Sequence, residues 1–209
     1  MTGSHQDVVT LDPESVRLVD RMLTVLDEDV LPLTQQGVGL GNKVFGAAIL
    51  RKSTLELVIA GTNEETRNPL LHGEVSCLNR YWELPAELRP PPSDCLFLSS
   101  HEPCSLCLSA ITWSGFDNFY YLFSYEDTRD AFDIPHDLNI LAEVFRCDDG
   151  DYAATNSYWQ SYYLIGLIEQ ATEAKQRDWS AKVATLRAAY GGLSERYQSD
   201  KGGQGIPLE

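Results

Sequence analysis

Residues 95–116, CLFLSSHEPCSLCLSAITWSGF, place a short apolar run directly before a segment with a helical pattern. The run CLFLSS is continuously apolar at its start, which is typical of a strand buried inside a sheet. The segment CSLCLSAITWSGF predicts a helix that ends at Gly115, because glycine favours helix termination. A buried strand followed at once by a helix indicates an α/β architecture.

The segments around this stretch extend the same pattern. KVFGAAIL (43–50) and LELVIAG (55–61) predict two strands of a hairpin joined by the turn RKST. Residues 72–84 predict a helix, and NFYYLF (118–123) predicts another buried strand. The alternation predicts a three-layer α/β/α sandwich, a mixed sheet covered by helices on both faces.

The second half of the chain is harder to interpret. LNILAEVF (138–145) fits either a strand or a short helix, whereas 156–190 predicts two helices. We therefore expect a catalytic domain over 1–150, a helical extension over 151–200 packed on it, and a Gly-rich flexible tail over 201–209.

Composition and charge limit the function classes. The chain has 209 residues, of which 43% are hydrophobic and 22% charged, as expected for a packed globular protein. No apolar run is long enough to cross a membrane, and the first thirty residues lack a basic signal-peptide start, which predicts a cytoplasmic location. The net charge of −15 disfavours nucleic acid as a partner, since it repels phosphate backbones.

The five cysteines divide into two groups. An odd number without a secretion signal argues against a disulfide framework, so Cys77, Cys95 and Cys147 are expected to be unreactive thiols among apolar neighbours. Cys104 and Cys107 differ because they are three residues apart at a helix start. The helix N-terminus stabilises thiolate, and both sulfurs can therefore bind one metal ion.

A histidine and a glutamate upstream complete this pattern. His72 opens the preceding helix, and with Cys104 and Cys107 it makes three zinc ligands that leave a fourth position for water. Glu74 lies two residues after His72, where a carboxylate can move protons to and from that water. The sequence therefore predicts a catalytic zinc site with Glu74 as its proton shuttle.

Other interpretations of these residues remain open. The spacing of the two cysteines also occurs in thioredoxin-like redox pairs, and a structural zinc would need a fourth ligand, for which His101 is the nearest candidate. His72 is an ordinary core histidine if its pairing with the cysteines is coincidental.

HGE at 72–74 with PCSLC at 103–107 resembles the zinc-dependent cytidine deaminase superfamily, whose signature is H-x-E followed by P-C-x-x-C. FGAAIL with IAGTNEETRNPLLHGE and EPCSLCLSAITWSGFDNFYY resembles the branch that holds guanine deaminases, fungal-type cytosine deaminases and tRNA adenosine deaminases. The resemblance covers residues 44–123 and implies a five-stranded mixed sheet, a homodimer, and removal of an exocyclic amine as ammonia. It also implies attack by zinc-held hydroxide on the amidine carbon, with Glu74 shuttling the proton.

The resemblance also implies substrate-binding residues. Asn63 matches an asparagine that hydrogen-bonds the base in relatives, and an amide offers a donor and an acceptor to a heterocycle edge. Relatives of the guanine-deaminase type supply acidic side chains from beyond the fourth strand, which nominates Asp133 ahead of Asp130 and His136. Turn formation by Asn63 and solvated loop charges are the alternatives.

The C-terminal segment carries five aromatic residues that the resemblance does not account for: Tyr152, Tyr158, Trp159, Tyr162 and Tyr163. They fit a lid over a flat substrate, although packing on the core or on a second subunit is the commoner use of such residues.

These observations together predict a zinc-dependent hydrolytic deaminase of a nucleobase, a nucleoside or a related small amino-substituted N-heterocycle. The alternatives are a tRNA adenosine deaminase and an inactive deaminase-like zinc-binding partner subunit.

Overall fold

The computed structural model describes residues 11–203 and 205–208. Residues 1–10 of the expected catalytic domain, and residues 204 and 209 of the expected tail, lie outside the described residues. Within the described part, no helix is both long enough and apolar enough to cross a membrane.

The first half of the chain supplies four strands and four helices. The strands are β1 (Gly46–Arg51), β2 (Leu57–Thr62), β3 (Cys95–His101) and β4 (Asn118–Phe123). The helices are α1 (Pro13–Val25), α2 (Leu31–Gly39), α3 (Gly73–Glu83) and α4 (Ser105–Trp113), with a π-helical turn (Leu26–Val30) between α1 and α2. Asp12 caps α1 by accepting a hydrogen bond from the Ser15 amide.

The second half supplies the last strand and the outer helices. These elements are α5 (Tyr125–Asp130), α6 (His136–Ile140), β5 (Gln160–Tyr163), α7 (Leu164–Ile168) and α8 (Glu173–Asp200). The ambiguous segment 138–145 is helical, because α6 runs directly into a π-helical turn (Leu141–Phe145) that ends at Arg146 with φ of 61°.

The five strands form one mixed sheet in the order β2-β1-β3-β4-β5. β1 pairs antiparallel with both β2 and β3, whereas β3, β4 and β5 run parallel. α3 joins β2 to β3, which run parallel with β1 between them, and α4 joins β3 to its parallel neighbour β4. Crossovers between parallel strands share one hand, so both helices lie on the same face of the sheet. The predicted five-stranded mixed sheet is confirmed.

Two apolar cores lie on opposite faces of this sheet. One packs α1, α2, α7 and α8 against the side chains of Ala48, Leu98 and Leu122, and Trp179 of α8 is fully buried in it. The other packs α3 and α4 against Ala47 and Phe97. The alternation of side chains along a strand explains why each of β1 to β4 contributes to both cores. The predicted α/β/α layering is therefore confirmed.

The prediction of helix over 156–163 is wrong, because these residues lead into and form β5. Tyr162 stacks on Tyr120 with ring centroids 4.5 Å apart, and Tyr163 stacks on Tyr121 at 5.2 Å. These cross-strand aromatic pairs hold the segment against β4 and outweigh its weak helical pattern. The fifth strand thus lies beyond residue 150, inside the segment expected as a helical extension.

The end of the chain also differs from expectation. Ile206 is buried, with 6% of its surface exposed, although the tail was expected to be flexible. Its apolar side chain is packed away from solvent, and the glycine-rich composition of the tail does not indicate this burial.

Candidate metal and active site

The starts of two helices bring three metal-binding side chains together. His72 and Cys104 are the N-cap residues of α3 and α4, both with extended backbone, and Cys107 follows on the first turn of α4. Because α3 and α4 cover the same face of the sheet, their N-termini converge beside the end of β3. The three residues that the sequence predicts as zinc ligands therefore lie next to one another.

The distances between the three donor atoms suit one zinc ion. His72 Nδ1 lies 3.4 Å from Cys104 Sγ and 3.7 Å from Cys107 Sγ, and the two sulfurs are 3.6 Å apart. Tetrahedral zinc with ordinary bond lengths would need edges of about 3.8 Å between sulfurs and about 3.6 Å between sulfur and nitrogen. Within the described residues, only these three side chains form such a group of His, Cys, Asp and Glu donors. The donor set therefore fits zinc with one position left over.

The three candidate zinc ligands have pKa values that are shifted in different directions. The hydrogen bond between the two cysteines holds the pKa of Cys104 well below its usual value, and burial raises the pKa of Cys107 well above it. Burial alone would lower the pKa of His72, but its hydrogen bond to Cys104 and the charge of that thiolate raise it to about 9. Metal binding must displace the protons of this cluster, which links zinc affinity to pH.

Glu74 lies directly against the cluster. It is 4% exposed, and the Ser99 hydroxyl donates to its Oε1 at 2.8 Å. The thiol of Cys107 donates to Oε2 at 3.2 Å. Burial, together with the Cys104 thiolate, raises the pKa of Glu74. A raised pKa makes this carboxylate a stronger proton acceptor, as a general base requires.

Gly73 explains how His72 and Glu74 fit so close to the sheet. A Cβ added at Gly73 would lie 2.7 Å from the Phe45 carbonyl oxygen and 2.8 Å from the backbone of Gly46. The start of α3 therefore rests directly on the backbone of β1 and the residue before it.

A cavity of about 310 Å³ opens beside the metal ligands. This is the small end of the usual range for ligand sites. His72 and Cys104 form part of its wall, whereas Cys107, Glu74 and Asn63 are not among its lining residues. The remaining lining side chains come from five regions: Lys43, Phe45, Glu65, Pro69, Leu70, Ser105, Leu106, Ile134, His136, Asp137, Ile140, Ile206, Pro207 and Leu208. A larger and more open depression lies along α1 near Leu55, away from this chemistry.

A buried polar network adjoins the cavity at Glu65. One carboxylate oxygen of Glu65 accepts from Lys43 Nζ at 3.0 Å, and the other accepts from Asn63 Nδ2 at 2.5 Å. All three residues are at least 94% buried. His72 Nε2 lies 3.7 Å from the same carboxylate. Sequence reasoning missed Lys43 and Glu65, and the only available signal was a lysine directly before an apolar strand.

The structure places Asp133 away from the cavity. Asp133 is exposed, with φ of 56°, and it does not line the cavity. Asp130 is also exposed and pairs with Arg129. Asp137, four residues after Asp133, lines the cavity instead, and burial followed by the Cys104 charge raises its pKa well above the usual value. The acidic side chain that lines the cavity after the fourth strand is thus Asp137 and not Asp133, since Asp137 lies in the short helix α6 beside the cavity.

His101 is a core residue and is not the fourth ligand. It is 1% exposed, its Nδ1 lies 2.9 Å from the Ser100 hydroxyl, and burial lowers its pKa to about 3. Its ring makes close contacts with four aromatic rings: Phe45, Phe123, Phe132 and Tyr190. His101 is not among the donor atoms that meet around Cys104, so it does not close the zinc site.

Glu102 and the C-terminal aromatics support the turn that carries Cys104. Glu102 accepts from the Tyr152 hydroxyl at 2.7 Å and from the Tyr125 amide at 3.0 Å. Trp159 donates to the Thr112 hydroxyl at 2.8 Å. The five aromatics considered for a lid are absent from the cavity lining. Four of them pack on the domain, whereas Tyr158 is 69% exposed.

Comparison with known families agrees with this geometry. Residues 28–123 match the family described as the cytidine and deoxycytidylate deaminase zinc-binding region. The match includes Asn63, His72, Glu74, Cys104 and Cys107, and it covers slightly less than half of the chain.

Individual proteins show the same relationship. The chain is 28% identical over 102 residues to the guanine deaminase of Bacillus subtilis (strain 168), an alignment that covers 47% of this chain and 63% of that enzyme. A mutant of NE0047 solved with 8-azaguanine shares 19% identity and a TM-score of 0.51, with 95% of this chain and 99% of that chain covered. A guanine deaminase from Nitrosomonas europaea gives 19% identity and a TM-score of 0.47, again over 95% and 99% of the two chains.

The alignment with the Bacillus subtilis enzyme spans less than two thirds of its length, and the solved structures at this identity bear on the fold alone. The family match, the mixed sheet and the convergence of one histidine with two cysteines agree independently. Over residues 28–123 the chain is similar to the cytidine and deoxycytidylate deaminase zinc-binding region, and this part contains all three metal-binding side chains and Glu74.

Proposed function

We propose that this protein is a zinc-dependent hydrolytic deaminase that releases ammonia from a small amino-substituted N-heterocycle. One observation carries the proposal: three zinc-type donors and a buried carboxylate meet beside a cavity of about 310 Å³. Guanine is the first substrate to test, because the curated relative is a guanine deaminase.

The proposed roles follow from the contacts of each side chain. Zinc held by His72, Cys104 and Cys107 would supply a water of pKa about 7, and hence hydroxide at neutral pH. Cys107 as a ligand has no proton left to donate, which frees Oε2 of Glu74. Glu74 would take one proton from the attacking water at Oε2 and deliver it to a ring nitrogen. It would then take a second proton from the newly added hydroxyl group and deliver it to the amine, which leaves as ammonia. Ser99 keeps the carboxylate in place through Oε1.

The substrate side of the site is proposed to include Asn63 and Asp137. The Oδ1 atom of Asn63 is buried without a protein partner, so an N–H of the heterocycle is a suitable donor to it. Asp137 lines the cavity with a raised pKa, which makes it a candidate donor or acceptor for the ring edge. Phe45, Leu70 and Leu106 line the same cavity and provide apolar surface for a flat ring.

Size and charge favour a free small molecule over RNA. The cavity is at the small end of ligand sites, and the net charge of −15 repels a phosphate backbone. Adenosine in tRNA is therefore the less favoured substrate.

We further propose a cytoplasmic homodimer. Five free cysteines suit a reducing compartment, and Trp113 at 91% exposed is a large apolar side chain of the kind that subunit contacts cover. The resemblance to a family that usually forms dimers supports the same assembly.

An ammonia-release assay with the zinc-loaded protein tests the proposal. We expect turnover of guanine or another free amino-heterocycle among cytosine, adenine, their nucleosides, pterins and triazines. Glu74→Gln should keep its zinc and lose roughly 10²–10⁴-fold in kcat, because the proton shuttle is removed without disturbing the ligands.

The proposal fails if no small heterocycle in this set releases ammonia, or if ammonia comes only from adenosine in tRNA. Full turnover by Glu74→Gln would show that another group moves the proton. A matched control is Glu87→Gln, since Glu87 is an exposed carboxylate outside the site. This variant should behave as the wild type.

A further inference from the structure

We propose that Lys43 determines substrate specificity by donating a hydrogen bond to an oxo oxygen of the heterocycle. The substrate class is then an amino-heterocycle that contains a lactam, a ring carbonyl next to a ring N–H. This inference rests on the proposed deaminase function and adds the feature that the site recognises.

Lys43 is placed unusually for a lysine. Only 6% of the residue is exposed, yet it lines the cavity that also has His72 in its wall. Lysine is almost never fully buried unless it is paired, because losing the hydration of an ammonium group is costly. The partner here is Glu65, whose Oε1 accepts from Nζ at 3.0 Å.

That single partner leaves donor capacity unused. An ammonium group has three N–H donors, and Glu65 takes one of them. Among the described residues, no other side chain or carbonyl accepts from Nζ. Since Lys43 faces a ligand-sized cavity, a substrate acceptor is the natural partner for a second donor.

Asn63 supplies the complementary group from the other side of Glu65. Its Nδ2 donates to Glu65 Oε2 at 2.5 Å, and the reverse orientation would set two oxygens against each other. This fixes Oδ1 as an acceptor, and Oδ1 is buried without a protein partner. The Glu65 carboxylate therefore binds both the Lys43 ammonium group, which has unused N–H donors, and the Asn63 amide, whose oxygen has no protein partner.

A lactam edge matches this pair of groups. Its carbonyl oxygen accepts from Lys43, and its adjacent N–H donates to Oδ1 of Asn63. Guanine has such an edge in its oxo group and the neighbouring ring N–H. In 2,6-diaminopurine an amino group replaces that oxygen, so two donors would oppose each other and the ammonium group would stay unsatisfied.

Comparison of guanine with 2,6-diaminopurine tests this directly, because both carry the same 2-amino group. The kcat/KM ratio of the two substrates is measured for the zinc-loaded wild type and for Lys43→Met. We expect the wild type to prefer guanine, and the variant to lose roughly 10- to 100-fold of that preference, mainly through a higher KM for guanine.

Two further variants keep the test interpretable. Lys43→Met leaves Glu65 buried without its cation, so Lys43→Met combined with Glu65→Gln provides a neutral pair that folds more readily. It should show the same loss of preference. Lys52→Met is the matched control, since Lys52 pairs with Asp117 at 2.7 Å on the surface. It should keep the wild-type ratio.

The possible failures are distinguishable. If guanine is deaminated and both Lys43 variants keep the wild-type ratio, Lys43 forms only a structural ion pair and the inference is wrong, while the deaminase function stands. If the wild type deaminates adenine and ignores every lactam-containing heterocycle, the inference is overturned in the same way. If no heterocycle is deaminated, the proposed function fails and the inference fails with it.

Discussion

At the scale of single residues, the chemistry of the metal site could be predicted because its spacing is local. Cys104 and Cys107 are three residues apart at a helix start, and this alone places both sulfurs on one side of the first turn. His72 and Glu74 are likewise adjacent at the start of α3. That the two pairs meet on one face of the sheet is indicated by the combined motif of the family, since no rule of spacing joins residues thirty positions apart.

Other residues of the site carry no such signal. Lys43 and Glu65 are 22 positions apart, and each looks like an ordinary charge beside a strand or in a polar loop. Asp133 and Asp137 are indistinguishable in sequence as acidic residues after the fourth strand. Only the positive φ of 56° at Asp133 and the start of α6 decide that Asp137 faces the cavity.

Gly73 gives a prediction at this scale. Gly73→Ala should destabilise the zinc-loaded protein by about 1–3 kcal/mol and weaken zinc binding, because the new methyl group meets backbone atoms at 2.7–2.8 Å that no side-chain rotation can relieve. Urea denaturation and a chelator competition measure the two effects.

Gly191→Ala is the matched control for that substitution. A Cβ at Gly191 in α8 would meet nothing within 4 Å, so alanine should stabilise the helix by up to about 1 kcal/mol. The close approach of α3 to β1 would be refuted by a Gly73→Ala protein with wild-type stability and zinc affinity.

At the scale of elements, strands with continuous apolar runs could be predicted and the last strand could not. β3 is buried along its whole length, as CLFLSS predicts. β5 is a short edge strand in which no residue is fully buried, so its sequence lacks a strong alternation. It is held by contacts with β4 that are remote in sequence, including the stacked pair Tyr120 and Tyr162.

The end of β3 also creates a pH dependence. His101 titrates with a pKa of about 3 in the fold against an ordinary value of 6.5, because it is buried among aromatic rings. Above pH 6.5 the imidazole is neutral in both states and its contribution to stability is complete. As pH falls below 6.5, the unfolded chain binds a proton that the folded chain excludes, and stability is lost.

His101→Gln removes this titration. The difference in unfolding free energy between wild type and variant should shrink by about 3 kcal/mol between pH 7 and pH 4. Urea denaturation of both proteins at each pH measures it. A difference that stays constant with pH would mean that His101 is protonated equally well in the folded and unfolded states.

At the scale of the whole molecule, the two faces of the sheet serve different purposes. The core packed around Trp179 fixes the sheet from one side, and the other face presents the starts of α3 and α4 to the cavity. The chain end returns to this cavity through Ile206, Pro207 and Leu208. Its contribution could not be predicted, because a Gly-rich tail shows no pattern of burial in sequence.

The account as a whole depends on a zinc ion with three protein donors and one free position. X-ray absorption at the zinc edge of the purified protein tests this most directly. We predict two sulfur neighbours at about 2.3 Å and two nitrogen or oxygen neighbours at about 2.0–2.1 Å, of which one is an imidazole. A protein that binds no zinc, or a spectrum with a third sulfur or a second imidazole, would contradict the account.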